Sequence, residues 1–113
     1  MLSLFDDGAA LAEGITAKAA PGHTPGHMAF QIASGDASLL VTADAANHYV
    51  ATFARPEWIF AYDTVPEQTV ATRRMLYGMA SDDGGRVWGT HMPFPGFGMA
   101  IREGEGFRFI TAP

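Results

Sequence analysis

Three side chains of metal-ligand type stand where strand-like stretches of the sequence begin or end. His23 lies in a loop rich in glycine and proline, Asp44 follows an apolar run, and His91 follows a short strand-like run. Side chains just beyond neighbouring strands can meet at one edge of a sheet, even when they are far apart in sequence. Imidazole and carboxylate ligands together suit borderline metals such as zinc, and a shared carboxylate can hold two ions. These three residues are therefore candidates for one metal site.

The amino-acid composition limits the chemistry and the partners. The sequence has no cysteine, which excludes disulfides, iron–sulfur clusters and thiol nucleophiles and leaves histidine and carboxylate as metal ligands. A formal net charge of -5 and a single lysine, Lys18, argue against nucleic-acid and anionic-membrane partners, which clustered basic residues recognise. No secretory leader opens the sequence and no apolar run approaches ~18 residues, so we expect a cytoplasmic protein without a membrane span.

The pattern of turn residues and short apolar runs predicts a single α+β domain over residues 1–113. We expect a mixed sheet with helices on one face. Residues 39–41 are apolar on both sides of a strand, which is typical of a sheet covered on both faces. Only one convincing amphipathic helix is available, so the other face needs a partner or a further segment. The expected strands are 2–5, 14–19, 28–33, 38–42, 86–89, 98–102 and 106–110.

The clearest helix is predicted over residues 65–80. Thr64 and Glu67 have the spacing of a capping box at its start. A helical wheel places Ala71, Thr72, Met75, Leu76 and Met79 on one side and Arg73 and Tyr77 on the opposite side. The helix should cover one face of the sheet.

The order of these motifs resembles that of the metallo-β-lactamase-fold hydrolase superfamily. The resemblance rests on Gly-His-Thr-Pro-Gly-His at 22–27, an apolar strand ending at Asp44, and a strand ending at His91 before a proline-rich loop. Residues 55–74 and 90–96 are similar to the lactonase and organophosphate-hydrolase-like branch. The resemblance implies half of an αββα sandwich, with residues 1–113 as the C-terminal half.

The resemblance also implies roles for the candidate residues. His23 would be an imidazole ligand of a first metal, Asp44 the bridging and catalytic carboxylate, and His91 a ligand of a second metal. The implied cofactor is zinc or another divalent transition metal, as a pair of ions in the full-length family, where a metal-bound hydroxide attacks the substrate. His27 is then expected to be structural.

Three further residues are candidates for substrate contact at the rim of this site. Asn47 and His48 follow Asp44 closely, and Phe94 lies in the proline-rich loop after His91. Each also has a simpler interpretation, as part of a solvated polar loop or as ordinary aromatic packing.

One feature of the superfamily does not occur in the sequence. Its His-x-His-x-Asp-His segment, which supplies further metal ligands, is absent from these residues. We therefore predict a metal-dependent hydrolase fragment for esters, lactones or phosphoesters, with an incomplete site, a small-molecule substrate, and either a homo-oligomer or an N-terminal half as partner. Whether the chain is an enzyme by itself stays open. The alternatives are a non-catalytic, homo-oligomeric assembly module that keeps the fold, and an unrelated small binding domain.

Overall fold

The computed structural model describes residues 1–112, and these form an α+β fold with one sheet and two helices. The predicted strand at 2–5 is wrong, since no strand forms there, and Phe5 instead packs on Phe30 with ring centroids 6.3 Å apart. No helix in the described part of the chain is long and apolar enough to cross a bilayer. The elements are β1 (Ala10–Ala12), β2 (Ile15–Ala19), β3 (Met28–Ser34), β4 (Ala37–Val41), a 3₁₀ turn (Ala43–Ala45), α1 (Ala51–Ala54), α2 (Pro66–Asp82), β5 (Arg86–Trp88), β6 (Phe97–Glu103) and β7 (Gly106–Thr111).

The seven strands lie side by side in sequence order, from β1 to β7. Every neighbouring pair is antiparallel except β4 and β5, which are parallel, with Leu40 opposite Val87. The connection between these two parallel strands contains the 3₁₀ turn, α1 and α2. The carboxyl ends of β4 and β5 therefore lie at the same edge of the sheet. Because β3 runs antiparallel to β4, the start of β3 lies at that edge too.

Helix α2 confirms the predicted helix, but its buried side differs from the predicted one. Arg73 and Tyr77 are fully buried, whereas Met75, which was expected in the core, is 48% exposed. The helical-wheel prediction was wrong because it assumed that the charged side chain of Arg73 could not belong to the buried side. An arginine can be buried when its guanidinium donors and its charge find partners. Arg73 donates to the carbonyls of Ala45, in the 3₁₀ turn, and Trp58, and it lies 3.5 Å from the carboxylate of Asp63. The residues buried on this face of α2 are Thr69, Thr72, Arg73, Leu76, Tyr77, Gly78 and Ala80.

The start of α2 also differs from the expected capping box. Val65 occupies the N-cap position and makes no side-chain cap hydrogen bond. The Thr64 hydroxyl instead donates to the carbonyl oxygen of His23, at 2.9 Å. Pro66 stands at the first turn, where its missing N–H costs nothing. The residue chosen as a cap thus ties the helix to the loop that carries His23.

The core lies between the two helices and one face of the sheet. The ring of Phe53 in α1 stacks on Tyr77 with centroids 4.1 Å apart, and Tyr77 also contacts Phe107 of β7. Burial raises the pKa of the Tyr77 phenol, while a hydrogen bond with Thr52 and the charge of Arg73 act in the opposite direction. Tyr77 is therefore a neutral core residue that joins both helices to the sheet.

The opposite face of the sheet carries apolar side chains that neither α1 nor α2 covers. Alternation along β4 turns Leu40 toward the helices, where it is buried, and leaves Leu39 and Val41 on the other side. This arrangement confirms the prediction of a mixed sheet with helices on one face. We call the second side the open face, and its larger half-buried or exposed apolar residues are Ile15, Met28, Phe30, Ile32, Leu39, Val41, Trp88, Phe97, Met99, Ile101 and Ile110.

Candidate functional site

The three candidate ligands meet at the edge of the sheet where β4 and β5 end. Asp44 lies in the 3₁₀ turn just after β4, and His91 lies three residues after the end of β5. His23 is in the loop that leads into β3, the antiparallel neighbour of β4. Parallel pairing of β4 with β5 and antiparallel pairing of β3 with β4 bring the three loops together.

The carboxylate of Asp44 stands between the two imidazole rings. Its Oδ1 lies 2.9 Å from Nε2 of His91, and its Oδ2 lies 3.6 Å from Nε2 of His23. The side chain of His23 is 21% exposed, and those of Asp44 and His91 are 44% and 47% exposed. Each carboxylate oxygen therefore faces one ring, at a solvent-accessible position. The assignment of these residues as metal ligands and of Asp44 as catalytic stays a prediction.

The backbone at Asp44 is held by His27. The ring of His27 donates from Nδ1 to the carbonyl of Ala20, at 2.8 Å, and accepts the backbone N–H of Asp44 at Nε2, at 3.0 Å. Both ring nitrogens are thus occupied by backbone groups, as a structural histidine requires. Ala43, directly before Asp44, has a φ of 46°, a left-handed conformation that is unfavourable for alanine. The turn is therefore held in a strained shape that directs the Asp44 side chain outward.

The loop of His23 is fixed against the first turn of α2. The backbone N–H of Val65 donates to the carbonyl of Gly22 at 2.9 Å, and that of Thr64 donates to the carbonyl of His23 at 3.1 Å. Gly22 has a φ of 134°, and a Cβ added there would overlap the backbone of Thr69. Glycine is required at this position because the helix backbone approaches the loop so closely.

One site residue was missed by the sequence reasoning. Asp63, whose side chain is fully buried, lies with Oδ1 3.0 Å from Nδ1 of His23 and with Oδ2 3.5 Å from the guanidinium of Arg73. The signal for it was an arginine on the buried side of α2, because a buried guanidinium needs an acidic partner. The helical wheel concealed that signal by placing Arg73 opposite the apolar side.

The predicted substrate-contact residues Asn47 and His48 make structural hydrogen bonds. The amide of Asn47 donates to the carbonyl of Asp44 at 2.9 Å and accepts from Arg73 at 2.6 Å. Nδ1 of His48 accepts the backbone N–H groups of Val50 and Ala51, both at 3.2 Å, at the start of α1. These bonds give both residues a role in shaping the loop, and substrate contact by either stays a prediction.

Phe94 lies apart from these two residues, in the loop after His91. Its side chain is 97% exposed, so it packs on nothing substantial within the described residues. A shallow cavity of about 280 Å³ runs along the same loop and is lined by Trp88, Thr90, Met92 and Phe94 among others. An apolar substrate group would find a partial wall there, and substrate contact by Phe94 likewise stays a prediction.

The spacing and number of the donor atoms fit a metal ion only in part. Donors bound to one tetrahedral zinc at ~2.1 Å lie about 3.4 Å apart. The gap of 3.6 Å between His23 and Asp44 is close to that value, whereas the 2.9 Å between His91 and Asp44 is a direct hydrogen bond. Each ion would receive one imidazole and one carboxylate oxygen, and catalytic zinc has three protein ligands. Accordingly, residues 1–112 contain no group of three side chains able to hold a metal by itself.

Comparison with protein-family models and with curated protein sequences gives no match. Comparison with solved structures gives clear matches. AidC, a dizinc quorum-quenching lactonase solved with a homoserine product, matches with a TM-score of 0.88 and 31% identity, over 96% of this chain and 37% of its own. The hydrolase AbOPH of the β-lactamase superfamily matches with a TM-score of 0.84 and 28% identity, over 96% of this chain and 36% of its own.

A third structure extends the same fold to lower sequence similarity. A probable metal-dependent hydrolase from Staphylococcus aureus matches with a TM-score of 0.76 at 21% identity, over 97% of this chain and 39% of its own. In all three cases this chain spans less than two fifths of the relative's length. Together with the strand order and the position of the three candidate ligands, these matches identify the chain as a structural relative of the metallo-β-lactamase superfamily, with the fold of part of its lactonase and organophosphate-hydrolase-like members.

Proposed function

We propose that the chain carries half of the metal site of a metal-dependent hydrolase. In this proposal His23 and His91 each supply one imidazole, Asp44 supplies a carboxylate shared by two divalent ions, and donors outside these residues complete the site. The observation that carries the proposal is the position of Asp44, whose two oxygens face two different imidazoles. A carboxylate that bridges two ions needs this arrangement.

The candidate site is open to solvent, and its central carboxylate is held in a fixed position. Asp44 and His91 are nearly half exposed, so a substrate and the remaining donors can approach from solvent. His27 and the strained turn at Ala43 fix Asp44 before any ion arrives. Ions bound here would polarise a substrate carbonyl or phosphoryl group and lower the pKa of water. Residues 1–112 alone do not complete that site.

We propose a small ester, lactone or phosphoester as the substrate class. The support is the similarity to AidC, which is a lactonase, and to AbOPH, which is a hydrolase of the β-lactamase superfamily. Phe94 and Trp88 would offer an apolar wall for the substrate beside His91. Asn47 and His48 would act at the opposite rim. We expect zinc as the metal and the cytoplasm as the compartment.

The test is a chimaera in which this chain replaces the matched segment of AidC. We expect the folded chimaera to take up two zinc ions per chain, as the dizinc relative does, and to hydrolyse an acyl-homoserine lactone. The variant D44N should lower zinc occupancy and hydrolysis by at least the ~10–100-fold that loss of an outer-shell partner costs. D36N, in the exposed turn between β3 and β4, is the control and should change neither.

Two results would count against the proposed metal site. One is a folded chimaera that binds no zinc above background. The other is a zinc-loaded chimaera in which D44N keeps both its metal and its activity. The isolated chain serves as a further comparison, and we expect it to bind zinc weakly because it offers only two donors per ion.

The open face favours a second candidate function, that of a homo-oligomeric assembly module. Strand spacing of ~4.8 Å makes a seven-stranded face on the order of 30 Å across, a width suited to an interface between two proteins. We propose that a second copy of this chain covers the open face, with the open faces of the two copies packed on each other. Apolar side chains on both partners would bury one another. Of the charged residues that the strand register places on this face, Arg108 pairs with Glu103 at 3.5 Å and Arg86 lies at the start of β5.

Sedimentation of the purified chain tests this second function. We expect a dimer, and we expect I32E on the open face to convert it to a monomer because a buried carboxylate would be unpaired. A71E, on the exposed side of α2, is the matched control and should remain dimeric. A wild-type chain that stays monomeric at high concentration would remove the assembly function.

A further inference from the structure

Asp63 and Arg73 form a buried charged pair directly behind the candidate site. Both side chains are fully buried, and Oδ2 of Asp63 lies 3.5 Å from the guanidinium. The pair is anchored through the arginine, whose donors reach the carbonyl of Ala45 at 2.9 Å, the carbonyl of Trp58 at 2.6 Å and the amide oxygen of Asn47 at 2.6 Å. A buried carboxylate is costly unless a charge of opposite sign stands near it. Arg73 therefore holds Asp63 in place and supplies the opposite charge beside it.

The other oxygen of Asp63 acts on His23. Oδ1 lies 3.0 Å from Nδ1 of the ring, which is hydrogen-bonding distance. An ionised carboxylate can only accept, so Nδ1 must carry the proton and donate it. A neutral imidazole has one N–H, so Nε2 is then left with a free electron pair. That electron pair faces Oδ2 of Asp44 across 3.6 Å, a distance too long for a hydrogen bond.

We infer that Asp63 is a positioning residue that fixes the tautomer of His23, so that the free electron pairs of His23 and Asp44 face the same gap. Two electron-rich atoms directed at one gap suit a cation, which accepts both electron pairs. His91 differs, because its Nε2 lies 2.9 Å from Oδ1 of Asp44 and its N–H donates a hydrogen bond to that oxygen. The two rings beside Asp44 thus carry their Nε2 protons differently, and within residues 1–112 only His23 has a second carboxylate, that of Asp63, at its Nδ1. The inference concerns the tautomer itself and rests on the proposed function only for its consequence on metal binding.

Replacing Asp63 with asparagine should reverse the tautomer. In D63N one side of the carboxylate becomes an oxygen and the other becomes an NH₂ group. The oxygen must face the guanidinium of Arg73, because two donors would repel there, so the NH₂ group faces His23. Nδ1 must then accept a hydrogen bond from the NH₂ group, so the ring proton moves to Nε2. There the N–H would donate a hydrogen bond to Oδ2 of Asp44. A contact that merely tied the loop would not change which ring nitrogen carries the proton.

The experiment is nitrogen-15 NMR of the ring nitrogens of His23 in the full chain. It is done at pH ~9, well above the ordinary pKa of an imidazole, so that the neutral tautomers are observed. We expect the wild type to show a protonated Nδ1 and a bare Nε2, and D63N to show the reverse. D82N, at the exposed end of α2, is the control and should match the wild type. A wild-type ring with its proton on Nε2, or with protons on both nitrogens, would overturn the inference without any variant. So would a folded D63N that keeps the wild-type tautomer.

Zinc titration of the same samples separates this inference from the proposed function. We expect zinc to shift the Nε2 signal of His23 in the wild type and to do so at least 10-fold less effectively in D63N, since the N–H must first be displaced. If the tautomers behave as inferred while zinc leaves His23 unshifted in the wild type, the metal site fails and the positioning role of Asp63 stands. If zinc shifts both proteins at the same concentration, Asp63 does not prepare His23 for a metal.

Discussion

The backbone of Gly22 lies against the backbone of Thr69, so that the loop carrying His23 is packed directly on the first turn of α2. A Cβ at Gly22 would overlap the Thr69 backbone, and the φ of 134° is unfavourable for any other residue. Two hydrogen bonds from Thr64 and Val65 to the loop carbonyls complete the contact. The distance between His23 and the helix is therefore set by the absence of a side chain at residue 22.

We expect G22A to destabilise the fold by about 2–4 kcal/mol, because positive φ strain and displacement of α2 add together. Urea denaturation measures this change. G26A, four residues along the same loop, is the matched control, since an added Cβ there meets nothing within 4 Å in the described chain. Equal stability of the two variants would show that the helix does not need the close approach.

The two adjacent arginines of α2 should behave very differently. R73M removes a buried guanidinium and leaves Asp63 without a countercharge, so we expect a loss of about 3–5 kcal/mol. R74M removes a half-exposed side chain that pairs with Glu57 at the surface, and we expect a change within about 1 kcal/mol. Chemical denaturation of both variants checks the contrast. A mild effect of R73M would mean that the buried pair contributes little to stability.

The histidines should divide into structural and site residues. H27A removes a ring that links the carbonyl of Ala20 to the N–H of Asp44, and two unsatisfied backbone groups should cost about 1–3 kcal/mol. H91A removes a half-exposed ring with one hydrogen bond to Asp44, and we expect a change within about 0.5 kcal/mol. Thermal and urea unfolding distinguish the two. A larger loss for H91A than for H27A would reverse the assignment.

Alkaline pH should weaken the fold through Tyr77. Burial raises the pKa of this phenol above the ordinary tyrosine value of about 10, which the unfolded chain retains. The folded state therefore binds the proton more tightly, so this contribution to stability is complete below pH about 10 and is lost as pH rises beyond it. We expect Y77F to reduce the loss of stability above pH 10, whereas Y62F, at an exposed tyrosine, should not. An identical alkaline profile for wild type and Y77F would contradict this.

Much of the fold could be predicted because its signals are local. Residues 39–41 are apolar on both sides, and β4 indeed turns Leu40 to the helices and its neighbours to the open face. The helix bounds also followed from local spacing, since Pro66 begins α2. The order of the motifs indicated the superfamily fold, which the structural matches confirm.

The parts that escaped prediction depend on contacts between distant residues. Nothing near Arg73 in sequence shows that the carbonyls of Ala45 and Trp58 will surround its guanidinium. Asp63 was missed for the same reason, because its partners His23 and Arg73 come from two other segments. Thr64 has the spacing of a cap, but the nearby carbonyl of His23 captures its hydroxyl. In each case contacts with residues distant in sequence, and not the local sequence pattern, determine where the side chain lies.

The single parallel pairing of the sheet, between β4 and β5, determines when the candidate site can exist during folding. The hairpins β2–β3–β4 and β6–β7 join neighbours in sequence and close only short loops. Asp44 and His91 meet only after β4 and β5 have paired, which requires the long connection through both helices to form. Forming that connection lowers the entropy of the chain before the contacts between the strands can offset the loss. A partly folded chain can thus hold most of its strands and still lack the site, so the meeting of these two side chains marks completion of the fold.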